Sequence, residues 1–241
     1  MKYKIFEENS ELNSFVVSRI VQTITQKPQA LLCLPSGESP QGIFEELVRL
    51  ELSGGIDFSN AYFAGLDEWM GLGVNHPDSC LNFMDKYFFS QLNIDASHIY
   101  FFDGETNDPQ KECNRIDQFI ASRNGIDFML LGVGMNGHLG LNEPGTDASL
   151  YSHVVTVDET TKEVARNKYF DLPVDLDKGI TLGLRHIAEC REAIVIINGS
   201  HKSDIAVKIL KGEITPQVPA TLVRENNNIL FCLDRQAAAK L

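Results

Sequence analysis

A histidine and a glutamate stand five residues apart in the run LGVGMNGHLGLNEPG, which spans 131–145. Glycines in and around that interval would let the loop turn the Glu143 carboxylate toward the His138 imidazole. A carboxylate paired with an imidazole raises its basicity and fixes its tautomer, as a proton-moving residue requires. Taken alone, His138 suits a structural place in the loop as well as a catalytic one. Gly132, Gly134 and Gly137 allow close backbone approach and positive φ. The pattern G-V-G-M-N-G is not a dinucleotide fingerprint, because it runs into a polar loop rather than a helix.

Other chemically loaded residues lie elsewhere in the chain. Asp67 and Glu68 follow the apolar run AYFAGL at 61–66. Adjacent carboxylates at a strand end cannot face the same way, so one is expected to enter a site; the alternative is a solvated acidic turn. Trp69, the only tryptophan, suits packing better than chemistry. PSGESP at 35–40 presents Ser36, Gly37 and Ser39 ahead of a helix, where backbone N–H groups and hydroxyls would meet an anion. It lacks the Gly-Lys-Ser/Thr of a Walker loop. A plain turn, capped by Ser39 with Pro40 at the first helical position, is the other reading. No serine or cysteine sits in a nucleophile motif, and no His or Cys cluster has metal-ligand spacing. Proton transfer without metal or cofactor fits better than acyl transfer or redox chemistry.

The elements that must position these residues alternate. Apolar runs at 30–34, 61–66, 99–102, 127–132, 193–199 and 228–233 predict strands. Helical spacing predicts helices from near Ser10, over 41–50, 79–92 and 108–123, around 181–189, and over 202–210, with a long loop after 132. Apolar strands separated by helices imply an α/β fold, a doubly wound, mostly parallel sheet covered on both faces. Sites in such sheets lie beyond the carboxyl ends of the strands. The segments PSGES, DEW, GMNGH and NGSHK all fall at such ends, which argues for one shared site.

A chain of 241 residues fits a single domain over 1–241. The net charge of −12 argues against a nucleic-acid or anionic-membrane surface, while a small anion needs only local N–H groups and lysines. The five cysteines are scattered without a Cys-x-x-Cys pair and read as reduced, buried thiols. With no signal-like core or long apolar run, a cytoplasmic location is expected.

Taken together, LPSGESP, LDEWMGL, HPDSC, GVGMNGHLGLNEPGT, GITLGL and NGSHK resemble the glucosamine-6-phosphate deaminase and galactosamine-6-phosphate isomerase family. The resemblance spans 34–202 and implies a modified doubly wound α/β fold. It also implies conversion of a hexosamine 6-phosphate and water to a ketohexose 6-phosphate and ammonia. By matching position, Asp67 would move the C2 proton to C1, and His138, oriented by Glu143, would open the sugar ring. Ser36, Gly37, Ser39 and Lys202 would meet the phosphate, with Lys168 where the family often has an arginine. Asn136 stands where some members carry aspartate, and Glu38 replaces a small residue of the phosphate loop. LDEW, NGHLGLNEPG and GITLGL lean toward the galactosamine branch. The chain ends soon after NILFCLD, without the tail of some allosteric hexamers, so a monomer or small homo-oligomer with hyperbolic kinetics is expected.

Two alternatives compete. A 6-phosphogluconolactonase-type hydrolase shares the fold and would use His138 to activate water. A non-catalytic sugar-phosphate-binding regulator would need a DNA-binding segment, for which about 30 residues precede the first predicted strand.

Overall fold

The computed structural model describes residues 1–168, 170 and 174–241. The chain opens with β1 (Tyr3–Phe6), α1 (Asn9–Gln26), β2 (Leu31–Leu34) and α2 (Gln41–Leu52). Next come β3 (Tyr62–Gly65), β4 (Asp67–Trp69), α3 (Cys80–Tyr87), β5 (Ile99–Tyr100) and α4 (Pro109–Ser122). The second half holds β6 (Phe128–Gly132), β7 (His153–Thr156), α5 (Glu159–Lys168) and β8 (Lys178–Thr181). It closes with α6 (Leu184–Glu189), β9 (Ala193–Ile197), α7 (Ser203–Lys211), α8 (Ala220–Val223) and β10 (Ile229–Asp234).

Seven strands form one sheet in the order β1-β10-β9-β6-β2-β3-β5, and every neighbouring pair is parallel. The interior strands β2, β6 and β9 read as continuous apolar runs because both of their faces are covered. β2 sends Leu31 and Cys33 into the core beneath α4, α6 and α7, and Leu32 and Leu34 into the core beneath α1, α2 and α3. Each fully buried leucine or isoleucine contributes about 1.5–3 kcal/mol, so two such faces hold the strands firmly in register. The chain winds outward from β2 to β3 and β5, then returns to place β6 beside β2 before continuing to β9 and β10. The β2–β6 boundary is therefore the topological switch point, where the carboxyl ends diverge and leave a crevice.

A second, antiparallel sheet, β4-β8-β7, stands at the carboxyl edge of the first. Leu66 alone separates β3 from β4, so one segment leaves the large sheet and enters the small one. This second sheet, together with β1 and α5, went unread in the sequence. The stretch after 132 is not one long loop, for it contains β7, α5 and β8. The helix expected over 79–92 ends at Tyr87 and is followed by a 3₁₀ turn over Phe89–Gln91. The strand expected over 99–102 is paired only at Ile99 and Tyr100. Residues around 181 end β8, and the helix begins at Leu184. Among the described residues, no helix is long and apolar enough to cross a membrane. All five cysteines are buried as free thiols.

The start of β2 is pinned by Asp127, which is buried just ahead of β6. Its Oδ2 accepts the Leu31 N–H at 2.8 Å, and its carboxylate pairs with Lys27 at 2.7 Å and Arg191 at 3.0 Å. Asp127→Ala would leave the buried Leu31 N–H without its partner. We expect a loss of about 1–3 kcal/mol in a denaturant-unfolding experiment, whereas an unchanged midpoint would mean that the strand start does not depend on this carboxylate.

Candidate active site

The carboxyl ends of β2, β3, β6 and β9 open into one cleft of about 1130 Å³, lined by Ser36, Asp67, His138 and Lys202 among others. Four segments far apart in sequence thus meet at the switch point. Gly37, Ser39, Glu38 and Lys168 also line it, whereas Asn136 and Glu143 stand behind the histidine.

The loop after β2 turns at Gly37, whose φ of 112° belongs to the left-handed region that favours glycine. Ser39 does not cap α2, which begins without a side-chain cap after Pro40. Instead the Ser39 hydroxyl accepts from Lys202 Nζ at 3.4 Å. This favours the anion-loop reading over the plain turn. Lys202 ends a short 3₁₀ turn after β9 and is 8% exposed. Burial first, then repulsion from Lys168, lowers its pKa to about 8, against the pull of Asp234 and Glu38. Among the described residues its ammonium has no ion pair within 4 Å, which leaves it destabilised by burial, and an incoming anion would relieve that cost. Lys168, at the end of α5, pairs with Glu38 at 2.9 Å. The glutamate that departs from the family loop thus shares its charge with the lysine on the facing element. Tyr169 lies outside the described residues.

The adjacent carboxylates separate as expected, although the solvated-turn alternative does not hold. Glu68 is 1% exposed and accepts N–H groups from Trp69 at 2.9 Å, Cys80 at 3.1 Å and Leu81 at 3.4 Å. It ties β4 to the first turn of α3. Burial raises its pKa to about 7, with those N–H bonds acting in the opposite direction. Asp67 turns the other way, into the cleft. Enclosing protein atoms raise its pKa to about 6, with the His138 charge and the Cys80 thiol tempering the rise. Trp69 packs edge-on against Phe170 with centroids 5.6 Å apart, as a packing residue should.

The glycine loop holds the His138 imidazole in place. A Cβ on Gly134 would fall 2.1 Å from His138 Cε1, so the backbone passes where a side chain would displace the imidazole. His138 Nδ1 lies 2.8 Å from Asn136 Oδ1, which also accepts the His138 main-chain N–H at 3.1 Å. The main-chain N–H can only donate, which identifies that atom as the amide oxygen. Nδ1 then carries the hydrogen, and Nε2 is left to exchange protons with a ligand. Asn136 Nδ2 donates to Glu143 Oε2 at 2.8 Å. Glu143 itself approaches Nδ1 at 3.6 Å, so Asn136 stands between the carboxylate and the histidine that the sequence reading paired directly.

Sequence reasoning passed over two contributors from the α5 region. Thr161 Oγ1 lies 3.1 Å from His138 Nδ1, and Asp158 Oδ1 accepts from Asn136 Nδ2 at 3.3 Å. The signal was available in VDETT at 157–161, where an aspartate precedes a polar helix start. Among the described residues, no group of three or more His, Cys, Asp or Glu side chains is placed to hold a metal ion.

This cleft can take up and pass on a proton at Nε2, remove one with a carboxylate of near-neutral pKa, and receive an anion at Lys202. The model of the family described as glucosamine-6-phosphate isomerases/6-phosphogluconolactonase matches residues 7–231. The chain belongs to this family. It is 33% identical over 242 residues to a glucosamine-6-phosphate deaminase of Clostridium novyi (strain NT), covering 100% of both chains. Against glucosamine-6-phosphate deaminase 1 of Bacillus subtilis (strain 168), identity is 31% over 239 residues, covering 99% of this chain and 98% of the relative. The solved structure of a monomeric glucosamine-6-phosphate deaminase superposes with a TM-score of 0.93 at 32% identity, covering 100% of both chains. A 6-phosphogluconolactonase from Trypanosoma brucei shares the fold with a TM-score of 0.75 at 21% identity, covering 100% of this chain and 98% of that one.

Holding Asp67 ionised in this cleft should cost stability. Its folded pKa of about 6 exceeds the ordinary 3.8. The folded state therefore binds the proton more tightly, and that advantage is complete below the ordinary value and lost as pH rises through about 6. Asp67→Asn, which cannot ionise, should melt higher than the native protein at pH 7.5 and nearly equal to it at pH 4. A melting-temperature difference that is constant with pH would contradict the raised pKa.

Proposed function

We propose that the protein is a hexosamine-6-phosphate deaminase that converts glucosamine 6-phosphate or galactosamine 6-phosphate, with water, to the ketohexose 6-phosphate and ammonia. One observation carries the reading. A carboxylate with pKa about 6 opens into the cleft that also contains a buried lysine whose pKa falls to about 8. Abstraction of the C2 proton from the open-chain amino sugar needs a base beside C2, because the neighbouring C1 carbonyl oxygen accepts the electrons. A carboxylate suffices once burial brings its pKa toward neutrality.

In this reading the phosphate is held by Ser36, Gly37 and Ser39 with Lys202, and Lys168 contributes at the rim. His138 takes the proton of the anomeric hydroxyl at Nε2 and passes it to the ring oxygen, and the sugar opens to the aldehyde. Asn136 fixes the imidazole, and Glu143 steadies Asn136. Asp67 takes the C2 proton and returns it to C1, leaving an imine at C2 that water converts to the ketone with loss of ammonia. Identity to deaminases over the full chain supports the reaction, whereas the lactonase likeness, at lower identity, speaks to fold alone. We further propose that the protein acts in the cytoplasm as a monomer or small homo-oligomer, without cofactor.

The test measures ammonia release from the two hexosamine 6-phosphates side by side, with 6-phosphogluconolactone hydrolysis as a third arm. Turnover of at least one amino sugar is expected. Asp67→Asn should bind substrate while kcat falls by roughly 10²-fold or more, and solvent deuterium should no longer enter the sugar. Lys202→Ala should raise KM strongly for the phosphorylated sugar. Lactone hydrolysis without ammonia release would overturn the assignment.

A further inference from the structure

Cys80 is the first residue of α3, and its side chain lines the cleft. Its Sγ lies 3.7 Å from Asp67 Oδ1 and accepts from Ser36 Oγ at 3.3 Å. A thiol has one hydrogen, and an ionised carboxylate can only accept. The direction of the chain is therefore fixed: Ser36 O–H donates to sulfur, and S–H donates to Asp67. The backbone holds the thiol there, because the Cys80 and Leu81 N–H groups are bound by Glu68, the chain neighbour of Asp67. We propose that Cys80 is a positioning residue for Asp67 and couples that carboxylate to occupancy of the phosphate loop. This rests on the base and phosphate-loop roles given under the proposed function.

The coupling follows from hydrogen-bond cooperativity. A thiol that accepts a hydrogen bond is a better donor than one that does not. With the loop empty, Ser36 polarises the thiol, and the thiol stabilises the Asp67 carboxylate. A phosphate that takes the Ser36 hydroxyl would withdraw that support and leave Asp67 more basic at the moment a substrate is bound. The other groups facing Asp67 are His138 from the glycine loop, which favours its ionised form, Glu68 beside it on β4, and Cys33 from β2. None of these links it to the phosphate loop through a hydrogen bond. Cys80 is itself buried, with its thiol pKa pushed up first by burial and then by Glu68 and Asp67, so it stays protonated and able to donate.

Two measurements test the coupling. Without the thiol, Asp67 should protonate more readily, moving the acidic limb of kcat to higher pH. We expect Cys80→Ala to lose about three- to tenfold in kcat near pH 6, to recover by pH 8, and to keep KM within about twofold. Cys80→Ser should restore part of the loss. Separately, the S–H infrared band of Cys80, assigned by difference against Cys80→Ser, should shift when inorganic phosphate binds the native protein. An unmoved acidic limb in Cys80→Ala, or an S–H band unaffected by phosphate that calorimetry shows to be bound, would overturn the coupling. The failure of the underlying reading looks different: normal deuterium incorporation by Asp67→Asn would remove the base role itself.

Discussion

A parallel strand buried on both faces must be entered at one edge of its sheet and left at the other. In this protein that constraint gathers the chemistry. β2, β3, β6 and β9 are parallel members of one sheet, so every segment that follows them emerges on the same edge. Two apolar cores fix those strands, and their interiors hold no room for charge. Polar and charged groups can appear only after the strands end, and the switch point between β2 and β6 provides the gap in which they meet. Asp67, His138, Lys202 and the loop at 36–39 are neighbours because of where their strands stop.

The small sheet refines what the large one collects. By leaving β3 after Leu66, the chain turns Asp67 and Glu68 in opposite directions, one to the cleft and one to the backbone of α3. Glu68 replaces lost solvation with three N–H bonds, whereas Asp67 keeps a thiol contact and a nearby imidazole. The resulting pair of displaced titrations, a carboxylate raised to about 6 and a lysine lowered to about 8, describes a cleft that is electrostatically uncomfortable when empty. Both shifts arise mainly from burial, and an anionic, proton-bearing ligand would ease the lysine and use the carboxylate. Burial costs stability at both positions.

The sequence was most legible where burial dictates residue type. β2, β6, β9 and β10 were readable because both their faces are covered, leaving continuous apolar runs. β1 escaped because it is an edge strand with Tyr3 and Ile5 exposed, and β7 because only alternate residues are partly covered. Neither supplies a period strong enough to outweigh a loop. The cleft residues were legible as types at strand ends, but their partners were not. That Asn136 would stand between Glu143 and His138 depends on how the glycine loop folds back. That Asp158 and Thr161 would join them depends on packing α5 across the chain. Glu68 and Asp67 could be told apart only by the sheet that β4 enters. Cys80 and Ser36 are 44 residues apart, and their contact belongs to tertiary structure alone.

In the proposed reaction, phosphate recognition at Lys202 places the C2 carbon of an amino sugar at Asp67 and its ring oxygen at His138. A crystal structure with a reduced, open-chain hexosamine 6-phosphate tests it most directly. Phosphate oxygens are expected at about 2.7–3.2 Å from Lys202 Nζ and the loop at 36–39, with C2 within about 3.5 Å of an Asp67 oxygen and His138 Nε2 bonded to the oxygen that would close the ring. A phosphate seated away from Lys202, or a C2 carbon turned from Asp67 with the phosphate in place, would contradict it.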